Sequence, residues 1–401
     1  MQIDGKSLIA TTIACARRVL ADRPVPLILT LACRNLLQDR LRFIATIIGI
    51  VFSIVLVTVQ MGLYLGFERM VTTMVEHASA DLWVMPPGTK SFEDTSLIDE
   101  QQRFRALSVK EVTAAVPMVI GFAQWRLPSG ATTPIFVVSS GTGPASLQPW
   151  NLVAGDVRAL SLPNSVAVDQ SYFDRLETTG LGEKVEINDQ RARIVAVTRG
   201  IRSFTTTPYV FSSIERARSY VGMASNKASY FLLRLAPGAD VENVRSRLRA
   251  TLSDAEVLTP AEFSERSGSF WLSGTGAGAA LFAGALLGVI VGTVIVAQTL
   301  YSSTKDHLDE FATLRAMGAS RLYLHLVIVF QAVLSAIFGF SIALCIGLLV
   351  AAATSESALP IVLTPGLTAG LFVLTVIMCV LSAVSAIVQV MRIDPVTVFT
   401  R

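Results

Sequence analysis

A few groups of side chains in this 401-residue chain invite a chemical reading. Asp81, Glu93, Asp94 and Asp99 gather carboxylates in a polar stretch. Paired carboxylates can divide acid and base roles when their surroundings push their pKa values apart; a solvated surface is the simpler reading of these four. No histidine lies between His77 and His307, so that stretch cannot build a histidine-ligated metal cluster. Gly5-Lys6-Ser7 ends like a phosphate loop, but such a loop needs an earlier glycine, a preceding strand and a following helix. Only four residues stand before Gly5, and the match is read as chance. Gly141-Thr142-Gly143 signals a loop and nothing more. The cysteines are Cys15, Cys33, Cys345 and Cys379, which leaves residues 66–272 without a disulfide framework. The expectation is a chain with no catalytic residue, no metal site and no cofactor of its own, so the elements around these residues must carry the function.

Those elements are made for lipid. Hydrophobic residues make up 52% of the chain and charged residues only 16%, against about 25% charged in soluble domains. The net charge of +3 gives no reason to expect a nucleic-acid partner. Crossing a bilayer takes about 20 consecutive apolar residues, and four runs qualify: 43–65, 277–300, 323–353 and 366–390. Basic residues flank them at Arg34, Arg40 and Arg42, at Lys305, Arg315 and Arg321, and at Arg392 and Arg401, while the link between the third and fourth runs has none. Basic flanks belong on the cytoplasmic side. Both termini are therefore expected in the cytoplasm and residues 66–272 outside. Ahead of the first run, residues 1–42 read as a cytoplasmic segment rather than a cleavable signal. Arg17, Arg18 and Arg23 suit an interfacial helix interrupted at Pro24 and Pro26, with an unstructured leader as the alternative.

No Asp, Glu, Lys or Arg falls inside any of the four runs. Ion-coupled transporters use such groups as proton or ion sites, so a proton-driven pump or an ion channel is disfavoured and energy must arrive from elsewhere. Small residues recur every four positions at Gly276, Ala280, Gly284, Gly288 and Gly292, a spacing that forms one shallow helix face. This packing seam can serve a dimer axis or packing within one chain. Ser335, Gly339, Ala343 and Gly347 repeat the pattern more weakly. Residues 302–321 link the second and third runs. Leu308, Phe311, Leu314 and Met317 make a helical stripe there, Gly318 can end the helix, and Ser320 can cap the next.

The long insert reads as an α+β domain, giving as fold class a four-helix membrane protein with a large α+β domain between helices one and two. Strands are expected at 80–86, at 118–127 and 134–140 around a Pro128-Ser129-Gly130 turn, in a hairpin turning at Asn188-Asp189, and at 208–211. Ser108 with Glu111 suggests a capping box opening a helix, and another helix is expected from about Gln170 to Thr178. Ser213 should cap a helix, and residues 230–260 should form a β-α-β unit with open sheet partners.

Two motifs carry a resemblance. DEFATLRAMGASR (309–321) is similar to the signature between the second and third helices of the FtsX/MacB superfamily of permeases, and RIDPVTVF (392–399) to that superfamily's closing motif. The order of one helix, a domain of about this size and three helices matches across the chain, and ADLWVMPPGTKSFED (80–94) resembles the DevC-like branch. The resemblance implies a permease of a type VII ABC system, in which ATP-driven motion passes through the helices and moves the periplasmic domains. It implies a separate ABC ATPase that binds ATP and Mg, since only 42 residues precede the first run. It also implies a second permease chain in a homodimer, a periplasmic adaptor with an outer-membrane channel, and a lipid, glycolipid or other amphiphile as cargo at the bacterial inner membrane. An FtsX-like signalling scaffold and a LolC-like lipoprotein-release permease are the alternatives. Carried over by position, Glu310, Phe311, Leu314, Arg315, Gly318 and Ala319 match the elbow that meets the ATPase. Phe311 and Leu314 would fill its groove, Arg315 would make a polar contact and Gly318 would allow the turn. Arg392, Asp394 and Pro395 match the tail and would anchor it.

Overall fold

The structure, a computed structural model, describes residues 40–141, 143, 145–306, 321–355, 357 and 359–391. The chain divides into two compact units. Of the described residues, the first holds 40–62, 281–306, 321–352 and 361–391; the second holds those of 63–280 and 353–360.

Four helices are long and apolar enough to cross a membrane: α1 (Arg40–Glu76), α6 (Ala277–Asp306), α7 (Arg321–Thr354) and α8 (Pro365–Met391). Within the first unit, glycines let neighbouring backbones approach α1. A methyl group placed on Gly339 of α7 would lie 2.5 Å from Ile50 Cγ2, and one on Gly284 of α6 would lie 2.7 Å from Gln60 Nε2. At Gly339 a larger side chain has no room beside Ile50, and at Gly284 it would have to push the end of Gln60 aside, so van der Waals contact between helices is gained where the hydrophobic effect between lipid-like surfaces gives nothing. Ser53 of α1 donates to the Gly288 carbonyl at 2.6 Å, and Ser382 of α8 reaches the Thr293 carbonyl at 2.9 Å. Ile50, Ile54, Val57, Val296, Ala332, Ala336, Cys379 and Ala383 are buried among these contacts.

The second unit holds the inserted domain together with residues 353–360, and its smallest sheet pairs β2 (Ile98–Asp99) antiparallel with β11 (Lys227–Ala228). Its smaller main sheet has the order β13-β1-β12-β3, formed by β1 (Leu82–Met85), β3 (Val112–Met118), β12 (Tyr230–Leu235) and β13 (Glu256–Leu258). Strand β1 pairs antiparallel with both β12 and β13. The expected β-α-β unit thus exists through α4 (Val241–Thr251), and the first strand of the domain fills the place between its two strands. The larger sheet runs β6-β9-β7-β10-β5-β4-β8, and β8 also pairs with β9. Six of its strands therefore close on themselves, and closure removes sheet edges. They are β4 (Ile120–Arg126), β5 (Thr132–Ser140), β7 (Ser165–Asp169), β8 (Lys184–Ile187), β9 (Gln190–Thr198) and β10 (Tyr209–Ser213); β6 (Leu152–Gly155) lies outside that ring. Both residues of the β8–β9 turn have positive φ, Asn188 at 47° and Asp189 at 61°, the geometry that matches the twist of a two-residue hairpin.

Helix α3 (Ile214–Val221) starts where Ser213 accepts the Arg216 N–H and ends at Gly222 with φ 67°. Helix α5 (Pro260–Ser269) opens with a reciprocal capping box between Thr259 and Glu262. The box expected at Ser108 and Glu111 is not formed. Ser108 follows α2 (Glu100–Leu107) and bonds back to the Arg105 carbonyl at 2.6 Å, while Glu111 pairs with Arg247 at 3.0 Å and leads into β3. The long-range ion pair and the buried face of β3 prevail over the local motif. The helix expected over 170–178 is a short 3-10 turn and one helical turn over Phe173–Leu176. Trp83, Phe92, Tyr230 and Phe263 form an aromatic core, with Trp83 at 5.2 Å from Phe263 and 5.4 Å from Tyr230 between ring centroids.

The glycine contacts yield a prediction. A leucine at Gly292 must displace Ser53 and Met378, whereas Gly370 of α8 has open space around it. Gly292→Leu should lower stability by about 1–3 kcal/mol, the usual cost of overpacking, and Gly370→Leu should not. Thermal midpoints of the detergent-solubilised variants decide it; equal midpoints would refute the close approach.

Candidate functional site

The residues singled out by sequence fall in different places. Glu310, Phe311, Leu314, Arg315, Gly318 and Ala319 lie outside the described residues, as do Arg392, Asp394, Pro395, the segment ahead of Arg40 and Cys15 and Cys33. Of the small-residue seam, Gly284, Gly288 and Gly292 meet Gln60, Leu56 and Val57, and Ser53, all on α1 of the same chain. Gly276 and Ala280 do not continue that face. Gly276, at φ 77° just ahead of α6, takes the Ala280 N–H on its carbonyl at 3.0 Å but has open space around its Cα, and Ala280 is exposed.

The four carboxylates take separate structural posts. Asp81 accepts the Leu235 N–H at 2.8 Å and pairs with Arg234; Asp99 pairs with Lys227 at 2.9 Å; Asp94 accepts from Ser96 and from the Lys90 N–H. Glu93 alone is drawn inward. It accepts from the Tyr209 hydroxyl at 2.5 Å and the Ser203 hydroxyl at 3.1 Å. Burial raises its carboxyl above the usual carboxylate range, against the opposing pull of those two hydroxyl bonds. Burial likewise lifts the Tyr209 phenol well above its ordinary value, with the nearby Glu93 charge adding to the shift.

Glu93 leads to the most constrained feature of the domain, the loop 199–208 between β9 and β10. Gly200 enters it at φ 87° and Thr206 sits at φ 60°. Buried Asp169, at the end of β7, accepts the Ile201 N–H at 2.8 Å and the Thr198 hydroxyl at 3.0 Å. The Tyr172 hydroxyl accepts the Ser203 N–H at 2.9 Å, and burial pushes that phenol up to about 12. Arg175 donates to the Thr206 carbonyl, and the Thr206 N–H closes a turn on the Ser203 carbonyl at 3.0 Å. Side chains of the domain thus hold the loop backbone at three successive points. Its own side chains face other segments. Arg202, 7% exposed, donates through Nη1 to the Ser355 and Ser357 carbonyls at 2.9 and 2.6 Å. Phe204 has its ring centroid 5.0 Å from Phe67 of α1 and 4.3 Å from Trp271, in the helical stretch between α5 and α6. Sequence reasoning passed over this loop. The available signal was an arginine and a phenylalanine two residues apart in a Thr-rich connector, and polar loops of that kind are common.

The loop thus meets segments that adjoin the apolar helices, an arrangement that suits a membrane permease component. Family comparison agrees. Residues 43–251 match the model of the MacB-like periplasmic core domain, and residues 282–395 match that of the FtsX-like permease C-terminal. The chain belongs to the FtsX/MacB family of type VII ABC permeases. Among solved structures it is similar to the extracellular domain of the noncanonic ABC-type transporter YknZ from Gram-positive bacteria, at 13% identity over 45% of this chain and 99% of that one, with a TM-score of 0.34. The periplasmic region of MacB from Actinobacillus actinomycetemcomitans aligns at 8% identity over 48% of this chain and 94% of that one, TM-score 0.35. A domain of a putative permease protein from Porphyromonas gingivalis aligns at 15% identity over 45% and 91%, TM-score 0.31. No curated protein matches the sequence.

This partly buried carboxyl gives a pH prediction with a fixed sign. Because the folded-state value of Glu93 lies above the ordinary 4.5, the folded chain holds that proton more tightly than the unfolded one. Its contribution is fully present below 4.5 and is lost as pH rises through the raised value. Glu93→Gln keeps an acceptor and removes the titration. The thermal midpoint of the wild type should therefore fall relative to Glu93→Gln as pH is raised from 4.5 to neutrality; a difference that does not change with pH would contradict this.

Proposed function

We propose that this chain is the permease subunit of an ATP-driven, mechanotransmission-type ABC exporter, of the DevC-like branch. It moves a lipid, glycolipid or other amphiphile outward from the bacterial inner membrane or periplasm. The observation that carries the reading is the interior of the bundle. No Asp, Glu, Lys or Arg lies in the four apolar runs, and the buried hydroxyls of Thr58, Thr375 and Ser382 bond back to carbonyls of their own helices, those of Ile54, Leu371 and Met378. Helices whose buried hydroxyls are taken up by backbone carbonyls, their own or, for Ser53 on Gly288 and Ser382 on Thr293, a neighbour's, favour movement of the helices as bodies over passage of a hydrophilic solute between them. In this reading the ATP and Mg sites belong to a separate ABC ATPase, which binds the elbow at Glu310, Phe311, Leu314, Arg315, Gly318 and Ala319. The permease works as a homodimer with both termini in the cytoplasm, and the inserted domain faces the periplasm, where an adaptor and an outer-membrane channel complete the route.

Affinity capture of the tagged full chain in mild detergent, with mass spectrometry of what comes with it, tests the proposal. An ABC ATPase together with a periplasmic adaptor is the expected result. An ATPase with a cell-wall hydrolase would replace export by FtsX-like signalling, an ATPase with a lipoprotein chaperone would favour LolC-like release, and recovery of no ATPase would refute the reading.

A further inference from the structure

We infer that the loop 199–208 is the point at which displacement of the membrane helices enters the inserted domain, with Arg202 and Phe204 as the positioning residues that receive it. The inference rests on the mechanotransmission reading above. Its basis is a convergence within the second unit. Arg202 holds two main-chain carbonyls of the turn joining α7 to α8. Two residues on, Phe204 lies against Phe67 of α1 and against Trp271, just ahead of α6. The approaches to all four spanning helices therefore meet one short stretch of chain. Between them Ser203 faces the other way, its hydroxyl donating to Glu93 and its N–H to Tyr172.

A soft loop would absorb movement; this one is held against doing so. Its N–H groups at 201 and 203 are bonded to Asp169 and Tyr172, and its Thr206 carbonyl to Arg175. Those three residues sit at the end of β7 and in the turns just after it. The next strand, β10, pairs with β7 and carries Tyr209, the other donor to Glu93. Displacement of the α7–α8 turn pulls on the Arg202 guanidinium, and displacement of α1 or of the Trp271 segment pushes the Phe204 ring. The shared backbone passes either one to two central strands. Arg202 suits this task chemically, because a guanidinium donates to both carbonyls in fixed directions whereas an ammonium is a freely turning point charge. The segment 80–94, prominent in the sequence, has a place here too: it supplies Glu93, which braces the loop from the domain side.

The test uses the full chain with its ATPase in lipid nanodiscs. Hydrogen–deuterium exchange is read at residues 165–172 and 209–213, with and without vanadate trapping of ATP. In the wild type, trapping should change exchange there, and coupling between distant sites usually amounts to about 5–150-fold. Arg202→Gln and Phe204→Leu should each bring that ratio towards one, while vanadate-sensitive ATP turnover and the thermal midpoint are retained, and Arg202→Lys should restore part of it. A wild-type ratio in Arg202→Gln would overturn the inference. So would a loss seen only alongside a lowered thermal midpoint, which would make the loop an anchor and no more. No trapped change in the wild type itself would refute mechanotransmission and this inference with it, a failure visible before any substitution is made.

Discussion

A polar group left unpaired in hydrocarbon costs several kcal/mol, because no water is present to take the place of its partner. The membrane unit is organised under that constraint. Its threonine and serine hydroxyls turn back on carbonyls one turn earlier, as Thr58 does on Ile54 and Thr375 on Leu371, or cross to a neighbouring backbone, as Ser53 does on Gly288. A hydroxyl can cross only where two backbones lie close, and backbones lie close only where one side has no side chain. The glycines and the bridging serines are therefore one arrangement, and Gly288 shows both parts: its missing side chain admits Leu56 and Val57, and its carbonyl takes the Ser53 proton. Ser335 of α7 departs from this pattern, its buried hydroxyl having no hydrogen-bond partner.

Outside hydrocarbon the same accounting is settled by side chains. The loop 199–208 is neither helix nor strand, so its backbone groups lack the partners that regular structure supplies. Asp169, Tyr172, Arg175 and Ser203 provide them. The positive φ at Thr206 is an uncommon conformation for a β-branched residue, and the bonds on both sides of that residue hold it there. A loop tied at so many points is stiff because the surrounding strands are stiff.

How far the sequence could be read follows from the range of the interactions. The four spans, the Pro128-Ser129-Gly130 and Asn188-Asp189 turns and the Ser213 cap were legible because each depends on residues within a few positions of one another. The sheet partner of the 230–260 unit was not, because β1 enters it from about 150 residues earlier in the chain (Trp83 beside Leu232). Ser108 and Glu111 misled for the same reason, since Arg247 decides what Glu111 does. Of the small-residue repeat, Gly284, Gly288 and Gly292 meet α1, while Ala280 and Gly276 are exposed, because a four-residue repeat does not show how far a neighbouring helix stays alongside. What Arg202 holds could not be read at all: its partners are main-chain carbonyls at 355 and 357, and a carbonyl leaves no trace in residue type.

That last point bears on how such a junction can vary. A grip on backbone carbonyls does not depend on which side chains stand at 355 and 357, so the Arg202 bonds by themselves set no residue type there as long as the path of the turn stays the same. The aromatic contact has the opposite character, since Phe204 needs rings or comparable bulk at both Phe67 and Trp271. One loop thus holds one partner by geometry and the other two by bulk. Between them lies Glu93, whose burial is offset only in part by two hydroxyl bonds. A carboxyl held there costs the fold stability as it ionises. What it does is fix the orientation of Ser203 and Tyr209, and with them the spacing of the loop from β10.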